Sequence, residues 1–155
     1  MPTIKEIIYG SREELILFDL LDEDEMEKII PYLESIGYAK GMTVFKEGAR
    51  GDFIGFITEG SLEIKKQTEF KGRQIVIGII GKGSFVGEMA LVNPDETRSA
   101  TAVALEDTEL IVLRRDALEA IIEKYPSIAV KILKGLNQVM AIRMKKAIER
   151  LAAIF

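Results

Sequence analysis

The sequence predicts an α+β fold: an antiparallel β-roll of the double-stranded β-helix, jelly-roll-like type, flanked by N-terminal helices and a long C-terminal helix. Three observations carry this reading. Short β-rich runs punctuated by glycine fill the middle of the chain. A helical pattern with an acidic cap precedes them, and a second helical pattern follows Pro126 almost to the end.

Residues 1–34 read as helical. Leu15-Ile16-Leu17-Phe18 and Leu20-Leu21 are apolar, and Asp22 with Glu25 three residues on is a capping-box pair that opens a further helix. Met26, Ile29, Ile30 and Leu33 recur along it at helical spacing. Pro31 ends or bends it, because proline lacks the donor a helix interior needs and clashes with the preceding turn.

Residues 35–115 carry the roll. Strands are expected at Met42–Phe45, Phe53–Thr58, Ser61–Lys66, Gln74–Ile80, Ser99–Leu105 and Thr108–Leu113. Gly48, Gly51, Gly60, Gly72, Gly81 and Gly83 stand between them as turn residues suited to positive φ. Phe53, Gly55 and Ile57 alternate, as do Leu62 and Ile64. Ile75 to Ile80 is apolar on both faces, the pattern of a strand buried inside a closed structure.

Residues 116–155 return to helix. Asp116 and Glu119 form a second capping-type pair ahead of Ala117, Leu118, Ile121 and Ile122, the apolar side of the first of two helices. Pro126 suits the first turn of the last helix, which runs to about Ile154. Leu133, Leu136, Met140, Met144, Ala147, Leu151 and Ile154 make a seam in steps of three and four. Such a seam fits a partner helix, in a homodimer or with another protein, or the chain's own domain. Gly135 marks close packing or a bend.

Composition narrows the function. A chain of 155 residues, 48% hydrophobic and 30% charged, fits one folded domain over residues 1–155 and argues against disorder. No apolar run approaches the roughly 20 residues that span a bilayer. Met1 to Glu6 does not open a signal-peptide pattern, so the cytoplasm is expected. The absence of Cys and His excludes disulfides, thiolate nucleophiles, Ser-His-Asp triads and most zinc sites, leaving carboxylate chemistry and oxygen-ligated Mg or Ca. The expectation is a protein that is not an enzyme and holds no metal or cofactor. Net charge is −4, yet residues from Ser127 onward carry six cations against Glu149 alone. This basic stretch reads as a solvated helical face rather than a nucleic-acid surface.

The informative stretch is residues 85–103. It contains Phe85-Val86-Gly87-Glu88-Met89-Ala90-Leu91, then a loop, then Arg98-Ser99-Ala100-Thr101. Taken singly, Glu88 is an acid at a helix N-terminus and Arg98 a loop cation beside Asp95 and Glu96. Together they resemble the phosphate-binding cassette of the cyclic-nucleotide-binding domain family, which includes catabolite activators, protein kinase A regulatory subunits and cyclic-nucleotide-gated channels. Gly41, Gly48, Gly60 and Gly83 match the family's turn glycines, and Phe18 with Leu20-Leu21 matches its opening helical motif. The resemblance runs from about Leu15 to the last helix.

That resemblance implies a regulatory sensor that binds cAMP, or cGMP, and couples binding to movement of its C-terminal helix. Glu88 would accept from the ribose 2′-hydroxyl and Arg98 would neutralise the cyclic phosphate. Gly87 would let the backbone approach, and N–H groups around Met89 and Ala90, with the Ser99 hydroxyl, would complete the phosphate site. Ile64, Ile77 and Phe85 would line the apolar wall. The residue capping the base falls at Arg143, with Met144 beside it, where this chain lacks the Thr-Ser pair of catabolite activators. Ser-Ala after the arginine leans toward cAMP.

DNA-binding relatives carry a winged helix after the long helix. With Phe155 as the last residue, no DNA-binding module is expected here. Two other classes compete. A cupin-like metalloenzyme shares the roll but depends on His, which this chain lacks. A degenerate roll serving as a protein-interaction scaffold, without nucleotide binding, is the stronger alternative, and Glu88 with Arg98 argues against it.

Overall fold

In the computed structural model, which describes residues 2–11, 16–70, 72–93, 95 and 97–155, the acidic cap at the start of the chain is complete. Asp22 Oδ1 accepts from the Glu25 N–H at 2.8 Å, and Glu25 Oε1 accepts from the Asp22 N–H at 3.1 Å. It opens α3 (Glu23–Ile29), which follows α1 (Ile4–Ser11) and α2 (Ile16–Asp19). Pro31 ends α3 in a single 3-10 turn, Ile30–Tyr32. Leu15, Pro94 and Glu96 lie outside the described residues.

Eight strands follow: β1 (Leu33–Tyr38), β2 (Thr43–Phe45), β3 (Phe53–Glu59), β4 (Ser61–Gln67), β5 (Gln74–Gly81), β6 (Phe85–Val86), β7 (Thr101–Ala104) and β8 (Thr108–Arg114). They form two antiparallel four-stranded sheets, ordered β1-β8-β3-β6 and β2-β7-β4-β5. A four-residue helix, α4 (Met89–Val92), interrupts the second half of the roll, and α5 (Arg115–Lys124) and α6 (Pro126–Ile154) close the chain. Among the described residues no helix is long and apolar enough to cross a membrane.

The first sheet is covered on both faces, which explains why β3 and β8 are buried along almost their whole length. Ile54, Phe56, Ile111 and Leu113 point toward the helices, where they pack with Phe18, Leu21, Met26, Ile29, Leu118, Ile121 and Ile132. One residue out of step, Ile57, Leu110 and Val112 point into the roll and meet Leu62, Ala102 and Ala104 of the second sheet. Phe18, Phe56 and Phe85 run edge to face through the first core, with ring centroids 5.1 and 6.1 Å apart. This aromatic line ends at β6, directly before the Gly87-Glu88 turn of the sequence pattern.

Four expectations need correction. β5 is not an inner strand: it pairs with β4 alone as the edge of its sheet, and Ile75, Val76, Ile77 and Ile79 are 53–64% exposed. Asp116 does not cap α5. Arg114 occupies that place without a side-chain cap, and Asp116 Oδ1 instead accepts from the adjacent Ala117 N–H at 2.7 Å. Gly51 and Gly81 do not take positive φ. Strands β1 and β6 stand beyond the six that the sequence predicts, β1 because Ser35 and Gly37 break its apolar pattern and β6 because it has two residues. Gly135 is buried within α6, which continues through it as one helix.

Candidate functional site

The site begins where β6 ends. Phe85 and Val86 pair with Phe56 and Gly55 of β3, which fixes the strand, and the chain then turns sharply at Gly87 with φ of +80°. A Cβ on Gly87 would sit 2.3 Å from Arg98 Nη1 and 3.0 Å from the Phe53 carbonyl oxygen, so both conformation and space require glycine. Glu88 leads into α4, which is anchored by buried Ala90 and Leu91. The Ala90 N–H donates to the Gly87 carbonyl at 3.2 Å across the turn.

Arg98 is not a surface cation. Only 5% exposed, it donates from Nη1 to the Gly87 carbonyl at 3.2 Å and from Nη2 to the Phe53 carbonyl at 3.0 Å. Its guanidinium carbon lies 4.2 Å from the Phe45 ring centroid and 4.6 Å from that of Phe53, in the corner between two rings set at 69° to each other. Gly51 makes room beneath it, since a Cβ there would fall 2.3 Å from Nε. Nε itself is buried and has no hydrogen-bond partner among the described residues. Burial pushes the Arg98 pKa down, and the charges of Asp52 and Glu88 act in the opposite direction. The group stays a cation at neutral pH.

From the other side α6 reaches in with Arg143. Its Nη2 donates to Ser84 Oγ and to the Phe85 carbonyl, the latter at 2.6 Å, and its guanidinium lies 4.2 Å over the Phe85 ring. Its Nη1 is 3.7 Å from Glu88 Oε1. Burial lowers the Arg143 pKa, with Glu88 opposing. Of the basic residues in α6, Lys131 pairs with Glu25 at 2.7 Å, while Lys134, Lys145, Lys146 and Arg150 form the exposed face expected from the sequence.

These groups surround one cleft of about 650 Å³, measured out to its open mouth, a size suited to a small molecule. Gly87, Glu88, Met89 and Ala90 line it, together with Arg98 and Ser99. Ile64, Ile77 and Phe85 contribute apolar lining, and Arg143 contributes from α6. All ten residues singled out in the sequence therefore meet at one place. Ser99 is exposed, and its carbonyl accepts from Lys66 Nζ at 2.6 Å. Sequence reasoning missed Phe45, Ile80 and Thr97, which also line the cleft, and Ser84, which holds Arg143. Phe45 and Phe53 lie eight residues apart with no periodic signal linking them, and only the folded roll brings both rings against Arg98.

Two antiparallel four-stranded sheets, with a cleft lined by a buried cation, a carboxylate and a residue of the last helix, define a β-roll domain. The chain belongs to the cyclic nucleotide-binding domain family, which residues 36–125 match. It is 31% identical over 131 residues to the cyclic AMP receptor protein of Thermus thermophilus, covering 84% of this chain and 58% of that one. It is also 31% identical over 116 residues to human cGMP-dependent protein kinase 2, covering 74% of this chain and 15% of the kinase. The chain thus spans little more than half of one relative and a small part of the other. Among solved structures, a cyclic nucleotide-binding domain from Methylobacillus flagellatus superposes with a TM-score of 0.83 at 26% identity, covering 92% of this chain and 83% of that one.

Proposed function

We propose that the chain is a cytoplasmic sensor that binds cAMP in this cleft, and that binding shifts α6. The Arg98 guanidinium carries the reading. It is a buried cation held by two carbonyls and two rings, with one donor unpartnered, and the carboxylates of Asp52 and Glu88 act on it through their charge without a direct ion pair. Burying a cation whose hydrogen bonds are incomplete is unfavourable, and a phosphodiester would supply a contacting anion and the missing acceptor together. Glu88 accepts from the ribose 2′-hydroxyl in this reading, and Ser99 donates to phosphate. Ile64, Ile77 and Phe85 offer the base an apolar wall, and Arg143 a planar cation to stack on it. Relatives named for cAMP and for cGMP support the ligand class, and Ser99-Ala100 after Arg98 favours cAMP over cGMP.

The switch follows from what Arg143 holds. It joins α6 to Ser84, Phe85 and Glu88, so a ligand that claims Glu88 changes the grip of α6 on the roll. A ligand with different affinity for the two positions of α6 shifts the population between them.

A thermal-shift titration with cAMP and with cGMP tests the binding. A ligand specific to the folded state adds about 2.7 kcal/mol at 100 times its dissociation constant. No shift with either nucleotide, or an undiminished shift in Arg98→Ala, would overturn the assignment and leave the protein-interaction scaffold as the reading.

A further inference from the structure

Arg115 opens α5 and has no place in the sequence pattern of the cassette. Its Nη1 donates to the Gly51 carbonyl at 3.2 Å and to the Ala90 carbonyl at 2.9 Å, and its backbone N–H donates to the Asp52 carbonyl at 2.7 Å. Arg98 takes the next carbonyl, that of Phe53, and on the cassette side it takes Gly87. Two arginines therefore span the same pair of backbone segments, residues 51–53 and residues 87–90. One bridge is Phe53–Arg98–Gly87 and the other Gly51–Arg115–Ala90. The second answers a local need as well, since a four-residue helix leaves its last carbonyls without internal donors.

We propose that Arg115 is a positioning residue for Arg98: its bridge fixes the distance between the two segments, and with it the pose of the Arg98 guanidinium. Arg98 lies over Gly51, whose carbonyl Arg115 holds, and bonds Gly87, which Arg115 fixes through α4. An anion drawing on Arg98 competes with the Phe53 and Gly87 carbonyls. Arg115 meets no such competition at its own carbonyls, so it keeps the two segments in register while Arg98 adjusts. Because Arg115 is the first residue of α5, and α5 packs on both α4 and α6, the same bridge ties cassette position to the last helix. The ligand-binding consequence rests on the nucleotide reading above; the effect on Arg98 does not.

The test uses the nitrogen-15 resonance of the Arg98 Nε–H, a group Arg115 does not touch, together with calorimetric cAMP affinity. In Arg115→Ala the Arg98 Nε–H signal moves and exchanges faster with water, and cAMP binds about tenfold more weakly, the order expected for losing charged, partly buried hydrogen bonds. Arg115→Lys, which keeps a cation able to reach one carbonyl, restores most of the affinity and part of the shift. Should Arg115→Ala fail to fold, Arg115→Gln carries the same expectation. An unmoved Arg98 signal in the folded variants overturns the proposal. So does unchanged affinity, where wild type binds. A wild-type protein that binds neither nucleotide sinks the nucleotide reading instead, and the Arg98 signal still decides the role of Arg115.

Discussion

Arg143 of α6 and Glu88 of the cassette face each other at 3.7 Å, and Arg143 is held there by Ser84, by the Phe85 carbonyl and by the Phe85 ring. Through this pair the distal part of the last helix meets the cleft. Arg143→Ala should raise amide hydrogen exchange in α6 beyond Val139, read by mass spectrometry, without disturbing the buried stretch from Ile128 to Leu136. The same variant should bind cAMP about 3- to 10-fold more weakly, the range expected when a cation–π interaction is removed from a partly desolvated site. Tighter binding would mean that Arg143 obstructs the ligand rather than capping it.

Arg98 separates binding from stability. A buried cation without a full set of partners often contributes less to stability than an apolar side chain of similar volume. Arg98→Leu should therefore weaken cAMP binding about 100-fold or more while leaving the thermal midpoint of the free protein unchanged or higher. Calorimetry and thermal unfolding of one preparation check both halves. A large loss of stability would mark Arg98 as primarily structural.

Two glycines beneath that guanidinium should behave differently. Gly51 has no positive φ, so Gly51→Ala strains the chain mainly by displacing Arg98, toward whose Nε the new Cβ would approach to 2.3 Å. Gly87→Ala meets Arg98 at the same distance and also forces a φ of +80° on a residue with a side chain. That conformation alone costs about 1–2 kcal/mol. Both variants should lose cAMP affinity, and Gly87→Ala should show the larger fall in thermal midpoint.

The elements legible in the sequence were those written in local chemistry. The Asp22–Glu25 box, the break at Pro31 and the start of α6 at Pro126 depend on a few adjacent residues, and each stands where expected. What pairing decides was harder to read. The six apolar or small residues from Ile75 to Ile80 predict an inner strand only if something lies beyond it, and the sheet order ends there. The cleft followed the same rule. Glu88 and Arg98 were visible because they share one loop, whereas the Arg115 bridge depends on three distant segments meeting.

The cap on α3 carries a pH dependence of known sign. The Glu25 N–H, the largest influence, holds the Asp22 carboxyl below its ordinary value of 3.8. A depressed carboxylate stabilises the fold above its unfolded value, and that contribution fades as pH falls through the lower folded value. Asp22→Ala should thus unfold at a lower temperature than wild type near neutral pH. The gap should narrow once pH drops below 3.8. Thermal unfolding of both proteins across the acid range checks this, and a gap that widens toward low pH would contradict it.

The far end of α6 raises a question of assembly. Past Leu136 the apolar seam leaves the domain: Met140 is 38% exposed, Met144 66%, Leu151 59% and Ile154 77%. The sequence left open whether this seam packs on its own domain or on a partner, and beyond Leu136 none of its described residues is buried by its own chain. An exposed apolar stripe repeating in steps of three and four along a helix matches the seam of a two-helix coil, and pairing with the same stripe on a second copy buries it without further design. Wild type is therefore expected to sediment as a dimer. The double variant Met144→Glu with Leu151→Glu should sediment as a monomer with an unchanged thermal midpoint at low concentration, because neither side chain supports the core. A wild-type monomer, with and without cAMP, would rule out self-pairing of the seam.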